Sequence, residues 1–375
     1  MDKAVLKNTR IFFIDNLRVF LTLLVVAHHW AIANGAPGDW YYTENHLHEI
    51  GSLLMSLFVA TNQAFFMGFF FLIAGYFVPA SYEKKGQVSF LKDRIKRLGV
   101  PLLLYVFTIS PILVFVARAM KGEMKQTFID FYFSGNGFMV GPLWFVVVLL
   151  LFSVGYWWFR QMFCPHILKF KYLKSNWSKA VGLVLLIVAI FFVRIKYPVG
   201  TWIPVLGLQP AHFLQYVVGF AIGVQLKKSN VLNSLSRKVA IKWMLLSQFL
   251  VWCMFPAIFI LSGDINVDLF LGGFSWHSLV YVAWEQLVAL STIIGLLGVF
   301  KYYFNYQTSI LKELAQNSYA IYVLHGIVLV AMSLLFQFYL GDSLMKFALL
   351  LIPLLLFCFL LAKFVRSYSF FNRIL

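Results

Sequence analysis

The chain has 375 residues, of which 61% are hydrophobic and only 12% are charged, and 41 are phenylalanine. Ordinary soluble domains carry about twice that share of charge, so the composition excludes them and indicates a membrane protein. The net charge of +17 does not indicate a nucleic-acid partner, because Lys and Arg are confined to short segments between apolar runs.

Apolar windows of about 20 residues predict ten membrane-spanning helices and an all-α polytopic bundle. The spans lie near 11–33, 51–79, 99–118, 142–160, 180–197, 203–226, 243–262, 279–300, 317–340 and 343–363. The limits of the fifth and sixth spans stay open, because Pro198, Pro204 and Pro210 crowd the turn between them. Since no repeat and no long polar interval interrupts the chain, residues 1–375 are predicted to form a single membrane domain.

The distribution of positive charge predicts the orientation of the chain in the membrane. One side receives 24 of the 31 Lys and Arg and the other side receives 6, while Arg18 lies inside the first span. This asymmetry predicts that both termini of the multi-pass chain lie in the cytoplasm. Cys164, Cys253 and Cys358 are too widely spaced to indicate a disulfide framework or a metal site. The oligomeric state stays open.

The first span, residues 11–33, contains Asp15, Arg18, His28 and His29. It is not read as a signal peptide, because charges interrupt its apolar centre. On a helix, Arg18 and His29 lie within roughly 20° of each other and about 16 Å apart, and Asp15 is placed to neutralise Arg18. His28 points about 100° away and is predicted to pack, so His29 is the candidate site residue. The alternative is that Asp15 and Arg18 serve membrane insertion alone.

The second span ends in a phenylalanine-rich stretch with Gly68 and Gly75, which predicts close helix approach or a local break. A loop at 80–98 follows, with six basic residues. Its Arg94 and Arg97 are spaced to hold phosphate groups through bidentate donors. The alternative for this loop is the positive-inside bias alone.

Two later spans add further candidates. Trp144, at the start of the fourth span, is predicted to lie in an aromatic belt at the outer interface. Glu285 lies within the eighth span at a depth comparable to His29, which would be an obvious partner, although a structural bond to another helix or to water is the alternative. In the ninth span Tyr319, Tyr322 and His325 share a broad face near the depth expected for Arg18, where helix packing and a chemical role both stay open.

These motifs together resemble the integral-membrane acyltransferase-3 family, and the resemblance covers nearly the whole chain. They are an Arg and a His separated by ten residues (Arg18, His29), Arg-x-x-Arg (Arg94, Arg97), and Tyr-x-x-Tyr-x-x-His from Tyr319 to His325. The Asp-x-Leu-Arg order in helix one and the aromatic segment 38–49 are most similar to the branch with glucan succinyltransferases. One departure is Ala74, which stands where the family pattern Phe-Phe-x-x-Ser-Gly has Ser.

The resemblance implies ten helices in the cytoplasmic (inner) membrane of a bacterium. It also implies transfer of an acyl group, of the acetyl or succinyl class, from cytoplasmic acyl-CoA to an envelope carbohydrate on the far side. It implies that Arg18, Arg94, Arg97, Tyr322 and His325 hold the acyl-CoA donor, and no metal is expected. His29 would act as general base or acyl carrier and Glu285 would orient its imidazole. Asp15, Gly75 and Trp144 would have structural or orienting roles.

Two other functions compete with this interpretation. A proton- or ion-coupled transporter would use the same intramembrane Asp, Arg, His and Glu side chains as an ion relay. A scaffold or polymer-export component would perform no chemistry. An acyltransferase would consume labelled acyl-CoA, whereas a carrier would need an ion gradient and leave the thioester intact.

Overall fold

The computed structural model describes residues 11–44, 47–162, 175–204, 206–229, 231–263, 266–339 and 341–375. In these ranges the secondary structure is helical apart from one isolated bridge between Ile203 and Leu208. Cys253 and Cys358 are free thiols, and Cys164 lies outside the described residues.

Ten long helices follow one another along the chain. They are α1 (Phe12–Ala33), α2 (Glu49–Lys85), α3 (Gln87–Met120), α4 (Gly141–Met162), α5 (Asn176–Lys196), α6 (Pro210–Lys228), α7 (Arg237–Ser262), α8 (Trp276–Tyr303), α9 (Ser309–Leu335) and α10 (Ser343–Ser367). Within the described ranges nine of them are long and apolar enough to cross a membrane. The other is α6, which carries buried polar side chains such as His212 and Gln215. The predicted helical membrane bundle is confirmed.

Several helices extend beyond their apolar windows. The segment predicted as a loop at 80–98 is helical, because α2 runs to Lys85 and α3 begins at Gln87. Gly86, with a φ of 77°, is the turn between them. Lys, Glu and Arg favour helices as much as apolar residues do, so a helix need not end at the membrane surface. In contrast, α6 begins only at Pro210, because Pro198 and Pro204 keep the preceding segment out of helical geometry.

Helix α1 lies in the interior of the bundle and packs against α2, α8, α9 and α10. The tightest helix pair is α2 with α6. A Cβ added at Gly75 would overlap the carbonyl oxygen of Phe220, and one at Gly223 would overlap that of Leu72. Gly75 therefore serves close helix approach, and α2 continues through it without a break.

Candidate functional site

A cavity of about 1040 Å³ opens near the end of the bundle where α1 finishes. The end of α1, the start of α2, the segment before α6, the end of α7 and the start of α8 contribute its walls. Polar and aromatic side chains face it, among them His29, Gln63, Trp144, His212 and Tyr322. A large concave site with a few convergent polar groups is the default candidate for substrate binding.

His29 lies in this cavity and is held by two aromatic neighbours. Its Nδ1 is 3.0 Å from Nε2 of His325, and the two rings are stacked with centroids 5.1 Å apart. The indole of Trp40 stacks on the ring of His29 at 4.4 Å and on the ring of His325 at 5.7 Å. The stacking on Trp40 fixes the plane of the His29 imidazole, and the contact with His325 fixes the rotation of the ring within that plane.

The hydrogen-bond network assigns the protons of both rings. Nδ1 of His325 faces the carbonyl oxygen of Tyr322, so this nitrogen carries the hydrogen. In the neutral ring, Nε2 of His325 is then an acceptor, and Nδ1–H of His29 donates to it. Nε2 of His29 is left with a free lone pair, which is the form required of a base or a nucleophile.

His325 was predicted at the depth of Arg18, and this is wrong. Helices α1 and α9 start at the same end of the bundle, because Asn16 donates to the carbonyl oxygens of Phe304 and Tyr306 just before α9. The predicted ninth span begins at residue 317, whereas α9 begins at Ser309, so His325 lies further along the helix than the span indicates. His325 and His29 therefore lie at about the same number of turns along their helices.

Glu285 was expected to orient His29, and the structure gives it other partners. Its buried carboxylate pairs with Arg194 and lies 3.3 Å from Nδ1 of His212. At this residue α8 faces α5 and α6, and a buried carboxylate requires a cation in contact. The predicted pairing of Glu285 with His29 is wrong, and the histidine beside Glu285 is His212.

Sequence reasoning missed Arg194 and His212. Arg194 lies near the end of the fifth predicted span and is fully buried, and His212 lies in the sixth span, whose limits stayed open. The sequence does contain a signal for Arg194, because it is an arginine inside an apolar run, as Arg18 is. An ionisable residue within a membrane span indicates a functional site, and this rule applies to Arg194 as it does to Glu285.

Trp144, which the sequence places in an aromatic belt, lines the cavity. It is stacked on Tyr216 with ring centroids 5.5 Å apart, and both rings line the cavity. Tyr322, which also lines the cavity, donates its hydroxyl hydrogen to the carbonyl oxygen of Pro142. The start of α4 thus forms part of the cavity wall.

The predicted donor-binding arginines lie away from these histidines. Arg18, whose side chain is 43% exposed, pairs with Asp15 at 3.9 Å as expected. In α3, Arg97 lies 3.2 Å from Asp93, and the guanidinium of Arg94 lies over the ring of Phe90 at 5.1 Å.

A hydrogen bond connects this basic segment with the helix that carries His325. The hydroxyl of Tyr319 donates to the backbone carbonyl of Arg97 over 3.0 Å. Tyr319 precedes His325 by six residues, or about 9 Å along α9. The basic segment therefore lies within about two helical turns of the histidine pair.

The loop that follows α1 carries Trp40 and is fastened at several points. Glu44 forms a buried ion pair with Lys346 of α10 at 2.6 Å, and Tyr41 shares a hydrogen bond with Tyr105 at 2.6 Å. Burial raises the pKa of the Tyr41 hydroxyl to about 12, although the bond with Tyr105 acts in the opposite direction. Asp39 accepts from the indole N–H of Trp202. These contacts hold Trp40 against His29.

The model of the acyltransferase-3 family, which describes an acyltransferase domain, matches residues 11–363. The chain belongs to the acyltransferase-3 family. The sequence-based resemblance is therefore confirmed. This acyltransferase-3 chain is also similar to the protein named Glucans biosynthesis protein C, with 25% identity over 158 residues to that of Shigella dysenteriae serotype 1 (strain Sd197). Identity over the same length is 25% for Escherichia coli (strain SMS-3-5 / SECEC) and 24% for Escherichia coli (strain K12).

Each of these alignments covers 41% of this chain and 40% of the relative. The chain thus spans about two fifths of the length of the curated relatives it matches. No solved structure matches the acyltransferase-3 chain.

The acyltransferase-3 motifs fall in two places in the structure. His29 and the Tyr322–His325 part of the tyrosine motif meet at the cavity, whereas Arg18, Arg94 and Arg97 lie away from it. Ala74, which replaces the family's serine, lies beside the tight glycine contact of α2 with α6. Within the described ranges no three His, Cys, Asp or Glu side chains come together as metal ligands would.

Proposed function

We propose that this acyltransferase-3 protein transfers an acyl group from acyl-CoA to a hydroxyl of an envelope carbohydrate. The observation that supports this most is the free lone pair of His29 Nε2, fixed by the chain from His29 through His325 to the Tyr322 carbonyl. It faces a cavity large enough for sugar units.

His29 can serve this reaction in two ways. As a general base, Nε2 takes the proton of the acceptor hydroxyl while that oxygen attacks the thioester carbon, and the proton then passes to the departing CoA thiolate. As an acyl carrier, Nε2 itself attacks the thioester carbon, CoA leaves as the thiolate and an acyl-imidazolium forms on His29. The acceptor oxygen then attacks the acyl carbon and displaces the imidazole, and the hydroxyl proton passes to the CoA thiolate. Both routes need Nε2 unprotonated at the start.

The donor is proposed to bind at the end of the bundle where α1 begins. Arg18, Arg94 and Arg97 supply guanidinium groups suited to the phosphates of CoA. The contact between Tyr319 and Arg97 places the basic segment about 9 Å along α9 from His325, a span that the long pantetheine arm can bridge. The acyl group is of the acetyl or succinyl class.

The acceptor is proposed to enter from the opposite end, where the cavity lies. The name of the relatives, Glucans biosynthesis protein C, supports a carbohydrate acceptor. The aromatic lining supports it too, since Trp144, Trp202 and Tyr281 offer flat faces for sugar rings. With the predicted cytoplasmic termini, this end would face the outer side of a bacterial inner membrane.

Purified protein in nanodiscs should be incubated with labelled acetyl-CoA or succinyl-CoA and with oligosaccharides extracted from the envelope of cells lacking the protein. We expect label to move to carbohydrate and free CoA to appear without any ion gradient. Mass spectrometry would identify the acyl group and its acceptor together. If the thioester stays intact and label crosses the membrane only with a proton or sodium gradient, the transporter alternative replaces this proposal.

A further inference from the structure

One wall of the cavity comes from the segment 199–212, which the structure describes except for residue 205. Five of its residues line the cavity: Val199, Gly200, Trp202, Gln209 and His212. The N–H of Ile203 bonds to the carbonyl of Leu208 at 2.8 Å, and the side-chain oxygen of Gln209 accepts from Gly200 N–H at 3.2 Å. The segment is therefore a fixed wall, built separately from the His29 stack.

His212 is the buried polar group of this wall and is itself oriented by charges. It is 2% exposed, and its Nδ1 lies 3.3 Å from Oε1 of Glu285 and 3.2 Å from Nη2 of Arg194. Nδ1 therefore lies between a donor and an acceptor, and Nε2 has no hydrogen-bond partner among the described residues. A buried polar nitrogen without a partner is rarely tolerated. Since a hydroxyl both donates and accepts, a ligand hydroxyl can bond to Nε2 in either tautomer of His212.

The charge of the cavity restricts what that ligand can be. Among its described lining residues the charged ones are Asp39 and Glu49, and neither Lys nor Arg is present. Arg194 stands behind His212, and its charge is compensated by Glu285. Anionic groups would meet carboxylates here without a cation, whereas neutral hydroxyl groups would find acceptors.

Trp202 supplies an apolar face beside these acceptors. Its side chain is 38% exposed, lines the cavity, and is held by the hydrogen bond from its indole N–H to Asp39. A flat aromatic ring beside a carboxylate and a histidine nitrogen matches a sugar ring, which has an apolar face and a rim of hydroxyl groups.

We propose that Trp202 and His212 of this wall, together with Asp39, bind a neutral carbohydrate acceptor beside the unit that is acylated at His29. A sugar ring stacks on Trp202, and a sugar hydroxyl forms a hydrogen bond with Nε2 of His212. Glu285 and Arg194 are positioning residues, which act through His212. This inference rests on the proposed function and adds the charge class of the acceptor and the residues that select it.

The test uses full-length protein in nanodiscs with labelled acetyl-CoA. The acceptors are envelope oligosaccharides from cells lacking the protein, separated by anion exchange into neutral and anionic pools. His212→Ala and Trp202→Ala should raise the KM for the neutral pool about tenfold, the loss expected for one good contact, and leave the KM for acetyl-CoA unchanged. His212→Gln should recover part of the affinity, because an amide can form a hydrogen bond with a hydroxyl but takes up no proton. Trp177→Ala replaces an exposed tryptophan outside the cavity lining, and this matched control should behave as wild type.

Each other outcome overturns the inference in a different way. A fall in kcat at unchanged acceptor KM, without recovery in His212→Gln, would make His212 a proton acceptor in the reaction. Preference of the wild type for the anionic pool would refute the charge argument. Unchanged acceptor KM in both Trp202→Ala and His212→Ala would remove the subsite while leaving the proposed function intact. Absence of transfer to either pool by the wild type would remove the proposed function as well.

Discussion

The Nδ1 of His29 and the Nε2 of His325 lie 3.0 Å apart, and the partner behind His325 is a backbone carbonyl rather than a carboxylate. In a serine-protease triad a buried Asp stabilises the imidazolium that forms. Here the two rings form a neutral chain, and the buried carboxylate of Glu285 is used at His212 instead. This chain of hydrogen bonds from His29 to the Tyr322 carbonyl fixes the tautomer of His29 without placing a negative charge beside it.

Replacement of His29 by Ala should reduce acyl transfer by about 10²-fold or more while the protein still inserts and folds, because a proton acceptor is lost and no charge is buried. His28→Ala is the matched comparison. His28 is also buried at the cavity, but its ring packs on Phe66 and lies outside the chain from His29 to Tyr322. Transfer rates of equally expressed variants should rank His28→Ala above His29→Ala. The reverse order would assign the chemistry to His28.

Replacement of His325 by Leu should lower kcat about 10- to 100-fold, because Nδ1–H of His29 loses its acceptor and the tautomer is no longer fixed. His325→Gln should retain more activity, since an amide oxygen can accept the same hydrogen bond. The KM for acyl-CoA should change little in both. A rise in donor KM at constant kcat would return His325 to the donor-binding role predicted from the sequence.

The double replacement Arg94→Ala with Arg97→Ala should raise the KM for acyl-CoA more than it lowers kcat, because phosphates are bound equally in the ground and transition states. Lys92→Ala, an exposed change in the same basic stretch of α3, is the control for general charge. If the KM for acyl-CoA stays at the wild-type value, this basic segment serves membrane orientation alone.

Glu285→Gln should destabilise the protein by about 3–5 kcal/mol, because the guanidinium of Arg194 is left buried without a counter-charge. Thermal unfolding in detergent, followed by tryptophan fluorescence, would show this as a lower Tm. The double variant Arg194→Met with Glu285→Met removes both charges and should recover much of the lost stability. Equal Tm values for Glu285→Gln and the wild type would show that Arg194 needs no ion pair.

The predicted orientation can be measured by cysteine labelling after the native cysteines are replaced. Asp268→Cys, exposed near the cavity end, should react with an impermeant reagent in intact spheroplasts. Lys84→Cys, exposed at the end of α2, should react only after lysis. Lys84 is preferred to Lys85, which pairs with Asp93. Labelling of position 84 from outside would invert the topology and exclude donor binding from the cytoplasm.

Local pattern predicted the helices, the family and the polar face of α1, because apolar windows and the spacing of Arg18 and His29 are properties of single helices. It did not predict which helices meet. His29 and His325 are 296 positions apart in sequence, and their relative depth depends on where α9 begins, which the apolar window did not mark. The partners of Glu285 were missed for the same reason, since three helices must pack before Arg194 and His212 reach it.

The attachment of the Trp40 loop has a consequence for biosynthesis. His29 is synthesised with the first helix, but His325 comes from the ninth and Lys346, which holds the loop through Glu44, comes from the tenth. Contacts so distant in sequence form late, after nearly all of the chain has left the ribosome. An incompletely inserted chain therefore carries the reactive imidazole without its partner, so the nascent protein should gain its chemistry only at the end of assembly.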